Sequence, residues 1–243
     1  MCSEESRGTV SKKQPKTGSL ATNLHEGSRS EYLAVYVFTS FGTVVSVPHQ
    51  EDTGIDLYCT ITKRIGKRSF PREYFSVQVK SYTKKDEAWV VDGKDSVRWF
   101  IEHPLPLFLC QVEKSTLTLR VYHTFPRYGL WASGSPPDHV ELTRGTESDS
   151  NCWVWSESGS MSLGKPILEL DVRKLVNNKL KYSLQDVLAS WIGFDRENLW
   201  RMGNHIRQVV RPQGYKKNVP VNTQTDRFYA ARSFSKRRMT ARS

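Results

Sequence analysis

The sequence predicts an α/β fold in which helices flank a mixed central sheet, with a helical extension at the C-terminal end. Apolar residues recur every three to four positions in residues 33–41 and again in 184–192, which is the period of one helix face. Between them, residues 55–61, 75–80 and 117–121 alternate apolar and polar side chains, as half-buried strands do. With 243 residues, of which 37% are hydrophobic, the chain can bury a substantial core, so fibrous and disordered classes are excluded.

The chain opens with a polar leader and one amphipathic helix. Residues 1–24 are rich in Ser, Lys, Thr and Gly, which predicts a disordered leader. A helix is predicted from Ser28 to the stop signal at Gly42, because the apolar side chains between them fall on one stripe. A short strand is expected next, over residues 43–47.

Two alternating segments predict a β-hairpin with a basic tip. Residues 55–61 and 75–80 both show the strand period, and Gly66 lies between them with Lys and Arg on either side. Gly66 marks the expected turn, because glycine tolerates the positive φ that tight turns require. Residues 89–91 predict a further short strand.

A helix and a second hairpin are expected to follow. Asp95 is a favourable N-cap residue, and Pro104 ends the helical pattern that begins there. The apolar run 107–112 indicates a buried strand, and residues 117–121 continue with the alternation of a strand. The short connection between these two segments predicts that they pair as a hairpin.

The pattern is weaker in the C-terminal half of the chain. Residues 125–164 are rich in Gly, Pro, Ser and Asp, which predicts loops with one short strand at 153–155. Ser183 and Asp186 form a capping box that predicts the start of an amphipathic helix, and a last helix is expected from Asp195.

These patterns divide the chain into the leader, a core over residues 25–125, an extension of loops and helices over 126–211 and a tail over 212–243. The net charge is +11, and residues 201–243 hold eleven Lys and Arg against one acid. The basic character is therefore concentrated at the C-terminal end. Such a segment attracts polyanions, so nucleic acid is the first expected partner and an anionic membrane surface the second.

Aromatic side chains are interleaved with the bases of the tail, a composition suited to binding phosphates and stacking on bases. The alternative is a solvated run of charge that contacts no partner. The residues expected to bind nucleic acid are Lys216, Lys217, Arg227, Lys236, Arg237 and Arg238.

Signals of several other protein classes are missing from the sequence. The four cysteines form no CxxC pair, so no zinc site is indicated and cytosolic thiols are expected. Polar residues and a proline interrupt the uncharged stretch 32–50, which argues against a membrane span, and no apolar signal-peptide segment begins the sequence. No phosphate-binding loop, HExxH or GxSxG motif is present. We expect a cytoplasmic protein that does not associate with membranes.

Four polar side chains are expected to converge at one end of the first hairpin. Gln78 and Lys80 are two residues apart, so both lie on the same side of their strand. Asp56 starts the neighbouring strand, and the hairpin brings it towards these two residues. Glu31 lies in the first turn of the first predicted helix and joins them if that helix packs on the sheet.

Such a group suits the metal-assisted cleavage of a phosphodiester. A carboxylate such as Asp56 anchors a hard divalent cation, and the oxygens of the Gln78 amide and the Val79 carbonyl complete part of its shell. Lys80 then positions the attacking water or stabilises the charge that develops on the phosphate. The expected cofactor is Mg²⁺ or Mn²⁺.

The pattern of Asp56, Gln78-Val79-Lys80 and a preceding Glu31 resembles the active site of the PD-(D/E)XK nuclease superfamily, in the QxK variant of Mrr-like restriction endonucleases. The stretches GSRSEYLAVYVFTSFG, EDTGIDLY, FSVQVKS and PLFLCQV are similar to an uncharacterised, mostly bacterial domain family assigned to that superfamily. The resemblance covers roughly residues 25–125.

The resemblance implies a restriction-endonuclease-like core and a metal-dependent DNA endonuclease, with defence against foreign DNA as its context. It makes Asp56 the principal metal ligand, Gln78 the second ligand, Lys80 the catalytic lysine and Glu31 the helix acid. Gln78 stands where the superfamily usually has Glu, which removes one negative charge and should weaken cation affinity. RNA as substrate stays open, as does the choice between a monomer and a homodimer that cuts both strands.

Each of these residues also has a structural interpretation. Glu31 and Ser28 fit a capping box, which would place Glu31 at a helix start and not at a metal. Asp56 fits a strand-end acid, and Gln78 and Lys80 fit a solvated strand face. If these readings hold together, the chain is a catalytically inactive nucleic-acid-binding or partner-docking protein.

Overall fold

The computed structural model describes residues 22–48, 54–82, 88–144 and 160–210. Within these ranges the strands are β1 Val44–Ser46, β2 Leu57–Ile65, β3 Arg68–Ser81, β4 Trp89–Asp92, β5 Leu107–Glu113, β6 Thr118–His123, β7 His139–Thr143, β8 Ser160–Ser162 and β9 Leu168–Asp171. The helices are α1 Thr22–Thr39, α2 Lys94–Glu102, α3 Pro126–Ser133, α4 Asn178–Gly203 and a 3₁₀ turn at Val172–Val176.

A six-stranded sheet in the order β1-β2-β3-β5-β6-β9 forms the centre of the molecule. The pair β3 and β5 is parallel, and the other four neighbouring pairs are antiparallel. Strands that run parallel need a crossover connection, and here β4 and α2 lie on the segment between β3 and β5. The predicted α/β fold with a mixed sheet and flanking helices is confirmed.

One face of the large sheet packs against α1 and α4 in the main hydrophobic core. Phe38 of α1 lies edge-on to Phe75 of β3, with ring centroids 5.8 Å apart, and Phe75 lies 5.7 Å from Phe108 of β5 in the same manner. Trp191 of α4 is buried in the same cluster and stacks on His123 of β6. Aromatic pairs in these edge and stacked geometries add to the energy of burial.

The other face carries a second core, which includes the helices α2 and α3 and a three-stranded sheet in the order β4-β7-β8. Trp89 of β4 contacts Tyr122 of β6 edge-on, at 5.7 Å between ring centroids. The large sheet is therefore covered on both faces. This explains why β5, which lies between β3 and β6, is an almost continuous apolar run.

Both predicted hairpins are confirmed. The antiparallel strands β2 and β3 turn at Gly66, which adopts a φ of 63°, and β5 pairs with β6 in the same manner. The N-terminal boundaries differ from the prediction. Helix α1 begins at Thr22, within the predicted leader, so Ser28 lies inside the helix and cannot cap it. The N-cap of α2 is Gly93 and not Asp95, which falls in the first turn.

The loops predicted over residues 125–164 were wrong for much of this stretch, which contains α3, β7 and β8. The strand predicted at 153–155 lies outside the described residues. The predicted capping box at Ser183 was also wrong, because one continuous helix, α4, begins five residues earlier. Its N-cap is Asn177, whose side chain accepts hydrogen bonds from the main chain of Lys179 and Leu180.

Strand β9, from the predicted extension, completes the edge of the large sheet next to β6. Buried polar contacts connect the same two parts of the chain. The fully buried Arg127 guanidinium donates to the carbonyls of His103 and Leu105 and to the Tyr128 hydroxyl, which itself donates to the main chain of Asp195. Residues on either side of position 125 therefore share one sheet and one core.

Candidate functional site

Asp56 lies directly before β2, held between two neighbouring segments of the sheet. Its N–H donates to the carbonyl of Val77 at 3.1 Å, and its own carbonyl accepts from the N–H of Val47 at 2.8 Å. The first bond extends the β2–β3 pairing one residue beyond Leu57, which is opposite Val77. The position of the Asp56 main chain is therefore fixed on both sides.

The carboxylate of Asp56 reaches across to the next part of β3. Its Oδ2 accepts a hydrogen bond from the main-chain N–H of Val79 at 2.5 Å. Strand β2 begins too late to offer a main-chain carbonyl to the N–H of Val79. The carboxylate of Asp56 accepts that hydrogen bond in its place. The structure brings Asp56 against the Gln78-Val79-Lys80 segment.

The main-chain polar groups of β3 point alternately to its two neighbours. Ser76 and Tyr82 donate to the segment of β5, whereas the carbonyl of Val77 accepts from Asp56 on the side of β2. In a strand the N–H and C=O of one residue point to the same side. The carbonyl of Val79 therefore points to the side of Asp56, where a cation bound by that carboxylate would lie.

Gln78 and Lys80 lie on the same face of β3, and both side chains are half-buried. The Lys80 Nζ donates to the carbonyl of Ala88 at 2.9 Å, which holds the ammonium group near the start of β4. A merely solvated strand face would leave both side chains in open water. Both side chains are instead partly covered, and their neighbours on β5 in the parallel register are Leu109 and Gln111.

Glu31 is half-buried on α1, one turn from the residue Ala34 that packs into the core. The direction of α1 follows from two contacts: Phe38 packs on Phe75, and the Phe41 carbonyl accepts from the N–H of Thr62. The C-terminal end of α1 therefore lies near Thr62. Its N-terminal end points towards the part of the sheet that contains Val79. Glu31 is two turns before Phe38 on the same helical face, about 10 Å along the axis.

The bounds and the placement of α1 bear on the two interpretations of Glu31. The capping box with Ser28 is ruled out, because α1 starts at Thr22. Helix α1 lies on the face of Phe75 and Val77, which is opposite to the face of Gln78 and Lys80. Glu31 consequently approaches the Asp56 end of the sheet from the other side.

The thiols nearest to this end of the sheet stay protonated at neutral pH. Burial raises the pKa of Cys110 well above its usual range, and the neighbouring Cys59 and the negative charge of Asp56 act in the same direction. Burial also raises the pKa of Cys59 on β2. Burial therefore disfavours the thiolate, which is the form that binds metals.

The donors that this end of the sheet could offer a cation are oxygens, namely the carboxylate of Asp56, the carbonyl of Val79 and the amide of Gln78, the residue before Val79 on β3. This set fits a hard divalent cation such as Mg²⁺ or Mn²⁺. It contains a single negative charge, and no group of three or more His, Cys, Asp or Glu that could hold a metal occurs among the described residues. The donor chemistry fits the cofactor, and the low charge fits weak binding.

Gln111 is a polar residue near this site that the sequence analysis did not single out. It is 3% exposed, lies opposite Lys80 in the β3–β5 register, and its Oε1 has no hydrogen-bond partner among the described residues. A buried amide oxygen is costly without a partner. The signal was the single polar residue inside the apolar run 107–112, a feature that the strand pattern alone does not explain.

The tail residues predicted to bind nucleic acid, 216–238, lie outside the described residues. Among the helices that are described, none combines the length and apolar character needed to cross a membrane. Comparison of the chain with protein-family models, with curated proteins and with solved structures finds no match. The interpretation of this site therefore depends on its own residues and their geometry.

Proposed function

We propose that the protein is a metal-dependent endonuclease that hydrolyses phosphodiester bonds of DNA, with a restriction-endonuclease-like core. The observation that carries the proposal is the hydrogen bond of the Asp56 carboxylate to Val79, which holds one acid against the Gln78-Val79-Lys80 segment of β3. A mixed sheet with helices on both sides is also the architecture that the nuclease resemblance implies. Defence against foreign DNA is the context that this resemblance suggests.

Each residue has a distinct part in this proposal. Asp56, Gln78 and the Val79 carbonyl hold Mg²⁺ or Mn²⁺, which supplies Lewis-acid stabilisation of the phosphate when bound. Lys80 keeps a positive charge at the edge of the same site and stabilises negative charge on the phosphate oxygens. Glu31 adds a carboxylate from α1 on the opposite side of the sheet end.

A catalytically inactive protein that binds nucleic acid is the second candidate. It is favoured by the structural contacts that two of the proposed residues already make: Asp56 with the main chain of Val79, and Lys80 with the carbonyl of Ala88. In that case the carboxylate only ends the β2–β3 ladder. The two candidates differ in what the charge of Asp56 does. In the nuclease it is needed for metal-dependent cleavage, whereas in the inactive protein only the hydrogen bond to Val79 matters.

Asp56→Asn makes that distinction, because the amide oxygen of Asn can still accept from Val79. Purified wild type and variant are incubated with supercoiled plasmid and with linear DNA, with and without Mg²⁺ or Mn²⁺. The proposal expects metal-dependent cleavage by the wild type and its loss in Asp56→Asn, with a thermal unfolding midpoint lowered only slightly, because a neutral acceptor replaces an ionised one. Absence of cleavage in both proteins, with equal DNA binding, would favour the inactive binding protein.

A further inference from the structure

The tip of the β2–β3 hairpin extends beyond the sheet as a two-stranded arm. Its pairing runs from Thr62 opposite Pro71 to Ile65 opposite Arg68. On one side β1 pairs with β2 only up to Cys59, and on the other β5 begins its pairing with β3 at Ser76. Among the described residues, those from 63 to 72 therefore form strand pairs only with each other. Thr62, at the base, also donates to the carbonyl of Phe41 and accepts from the side chain of Gln185. We call residues 62 to 72 the basic arm.

A change of register marks the base of the arm. The β2–β3 pairing is irregular between Ile61 and Thr62, and Pro71 stands opposite Thr62. Proline has no N–H to donate, and an irregularity of this kind bends and twists a strand. Every residue of β3 from Arg68 to Arg72 is exposed, whereas Phe75 is buried. The β3 strand of the arm is thus in water, not packed on the core.

Positive charge is concentrated on the arm without compensation from acids within it. Five of the ten residues from 63 to 72 are basic and none is acidic, namely Lys63, Arg64, Lys67, Arg68 and Arg72. The net charge of the chain between its leader and its C-terminal basic segment is close to zero. Charges of one sign so close together repel each other, and a polyanion that neutralises them gains affinity from that arrangement.

A groove of about 690 Å³ separates one side of the arm from α4. Lys63 and Arg72 line it from the arm, and Lys181 lines it from the helix. Tyr182 also lines the groove, and 57% of its surface is exposed. Basic side chains thus border the groove from both walls, where they outnumber the one acidic residue of its lining, Asp186 of α4.

We propose that the basic arm binds duplex DNA by entering its major groove, with one phosphate backbone lying in the groove between the arm and α4. The major groove is about 12 Å wide and 8.5 Å deep and admits a two-stranded β-ribbon. Four residue pairs give the arm a length of about 13 Å before its turn, which is sufficient for that depth. The inference rests on the proposed function for the choice of nucleic acid as the polyanion.

The basic arm is remote from the candidate metal site. Asp56 lies at one end of β2 and Gly66 follows its other end, so about 30 Å of strand separates them. Substitutions in the arm should therefore leave cation binding near Asp56 unchanged. The arm can be tested by DNA binding in EDTA, where no cleavage occurs, and so separately from catalysis.

The experiment compares two fourfold variants of the full chain. The arm variant is Lys63→Ala, Lys67→Ala, Arg68→Ala and Arg72→Ala. The control variant is Lys94→Ala, Arg98→Ala, Lys174→Ala and Arg207→Ala, which removes the same charge from exposed sites elsewhere. Fluorescence anisotropy with a labelled 20-base-pair duplex, and with a single strand of the same length, gives the dissociation constant over a range of salt concentrations in EDTA.

For the arm variant we expect duplex binding weaker by about 10²-fold or more at 0.1 M salt, and a log–log salt slope smaller in magnitude by about 3 to 4. The control variant should change the slope by less than one, and the single strand should lose less affinity than the duplex. Equal effects of the two variants would overturn the inference, as would equal losses on single and double strands. If the arm variant fails to fold, the double variant Lys67→Gln, Arg68→Gln at the turn replaces it. This variant removes two charges instead of four, so we expect about half the change in salt slope.

These outcomes are separable from those of the proposed function. An arm effect on duplex binding, without metal-dependent cleavage by the wild type, would contradict the nuclease and leave the arm as a DNA-binding element. Cleavage that depends on Asp56, with no arm effect, would contradict the arm alone.

Discussion

Asp56 combines a structural contact with a candidate chemical role. Its carboxylate accepts from the main chain of Val79 and so occupies a position at which β2 no longer covers β3. An ionised acceptor makes a stronger hydrogen bond than a neutral one. The same bond holds the carboxylate on the side of β3 to which the Val79 carbonyl points, and these two groups are the ligands that the proposed function assigns to a cation.

Gln78 provides a test of the metal site that does not depend on catalysis. Gln78→Glu adds a carboxylate beside Asp56, so Mg²⁺ or Mn²⁺ should bind more tightly, by roughly tenfold or more, since hard cations favour charged oxygen ligands. Calorimetric titration of the cation into both proteins measures the change. On a strand face without a metal the substitution would leave cation affinity unchanged, and that result would count against the site.

His123 is a titratable residue buried inside the main core. Its Nδ1 accepts the N–H of Phe125 at 3.0 Å, and its ring stacks on Trp191 at 4.5 Å between centroids. Burial lowers the pKa of His123 to about 3. The unfolded chain therefore takes up a proton on this histidine as the pH falls below about 6.5, whereas the folded chain does not until about 3.

Acid should consequently destabilise the fold through this residue. Burial and the charge of Arg127 lower the pKa of His103 to about 4, which acts in the same direction. Burial raises the pKa of Asp195 to about 6, so that carboxyl favours the fold as the pH falls from 6 towards 4 and partly offsets the histidines.

His123→Gln isolates the contribution of one histidine. Between pH 6 and pH 4 the free energy of unfolding should fall less steeply in the variant than in the wild type, by about 1.4 kcal/mol per pH unit. Denaturant titrations at several pH values measure both slopes. Parallel pH dependences would show that His123 takes up no proton on unfolding.

At the scale of elements, the sequence predicted the hairpins well because their signals are local. Strand alternation in β2 and β3 and the glycine at the turn specify the pairing, and this pairing is what brings Asp56 to Val79. A side-chain contact made beyond the end of a strand has no such periodic signal. The hydrogen bond of Asp56 could therefore be anticipated only as an approach of two strand ends.

The region after residue 125 was mispredicted for an identifiable reason. Helix α3 has Pro126 at its first position and a buried cation, Arg127, at its second, so its apolar pattern is interrupted where it should be strongest. The guanidinium is accommodated by carbonyls of His103 and Leu105, which are more than twenty residues away. These hydrogen bonds to the buried guanidinium form only in the tertiary structure, so the sequence around Arg127 does not predict them.

The start of α4 gives a second test at this scale. Asn177→Ala removes the acceptor for the N–H groups of Lys179 and Leu180, so the fold should lose about 1 kcal/mol. That loss corresponds to about 2 to 4 °C in the unfolding midpoint. Ser183→Ala is the matched control and should cost nothing, because Ser183 lies inside the helix. A larger loss from Ser183→Ala would place the helix start where the sequence pattern suggested it.

On the scale of the whole molecule, the last described residues after α4 pack against the core. Val210 is buried, and its main chain exchanges two hydrogen bonds with the side chain of Asn198. The chain is therefore anchored to the core just before the basic tail begins. A truncation from residue 212 onwards leaves these contacts in place.

Removal of residues 212–243 should weaken DNA binding without unfolding the protein. The segment holds eight basic residues, and if about half of them contact phosphates, the log–log salt slope should fall in magnitude by about 3 to 4. Binding measured over a range of salt concentrations, with the unfolding midpoint as control, tests this. An unchanged slope would show that the tail is a solvated run of charge.

In the proposed nuclease the Asp56 end of the sheet binds a cation, and Lys80 acts on the phosphate beside it. Lys80→Ala separates these two properties, with plasmid cleavage and Mn²⁺ or Mg²⁺ titration measured on the same preparation. We expect the variant to retain cation affinity and to lose about 10²-fold or more in cleavage rate. Full cleavage activity in Lys80→Ala would contradict this role of Lys80.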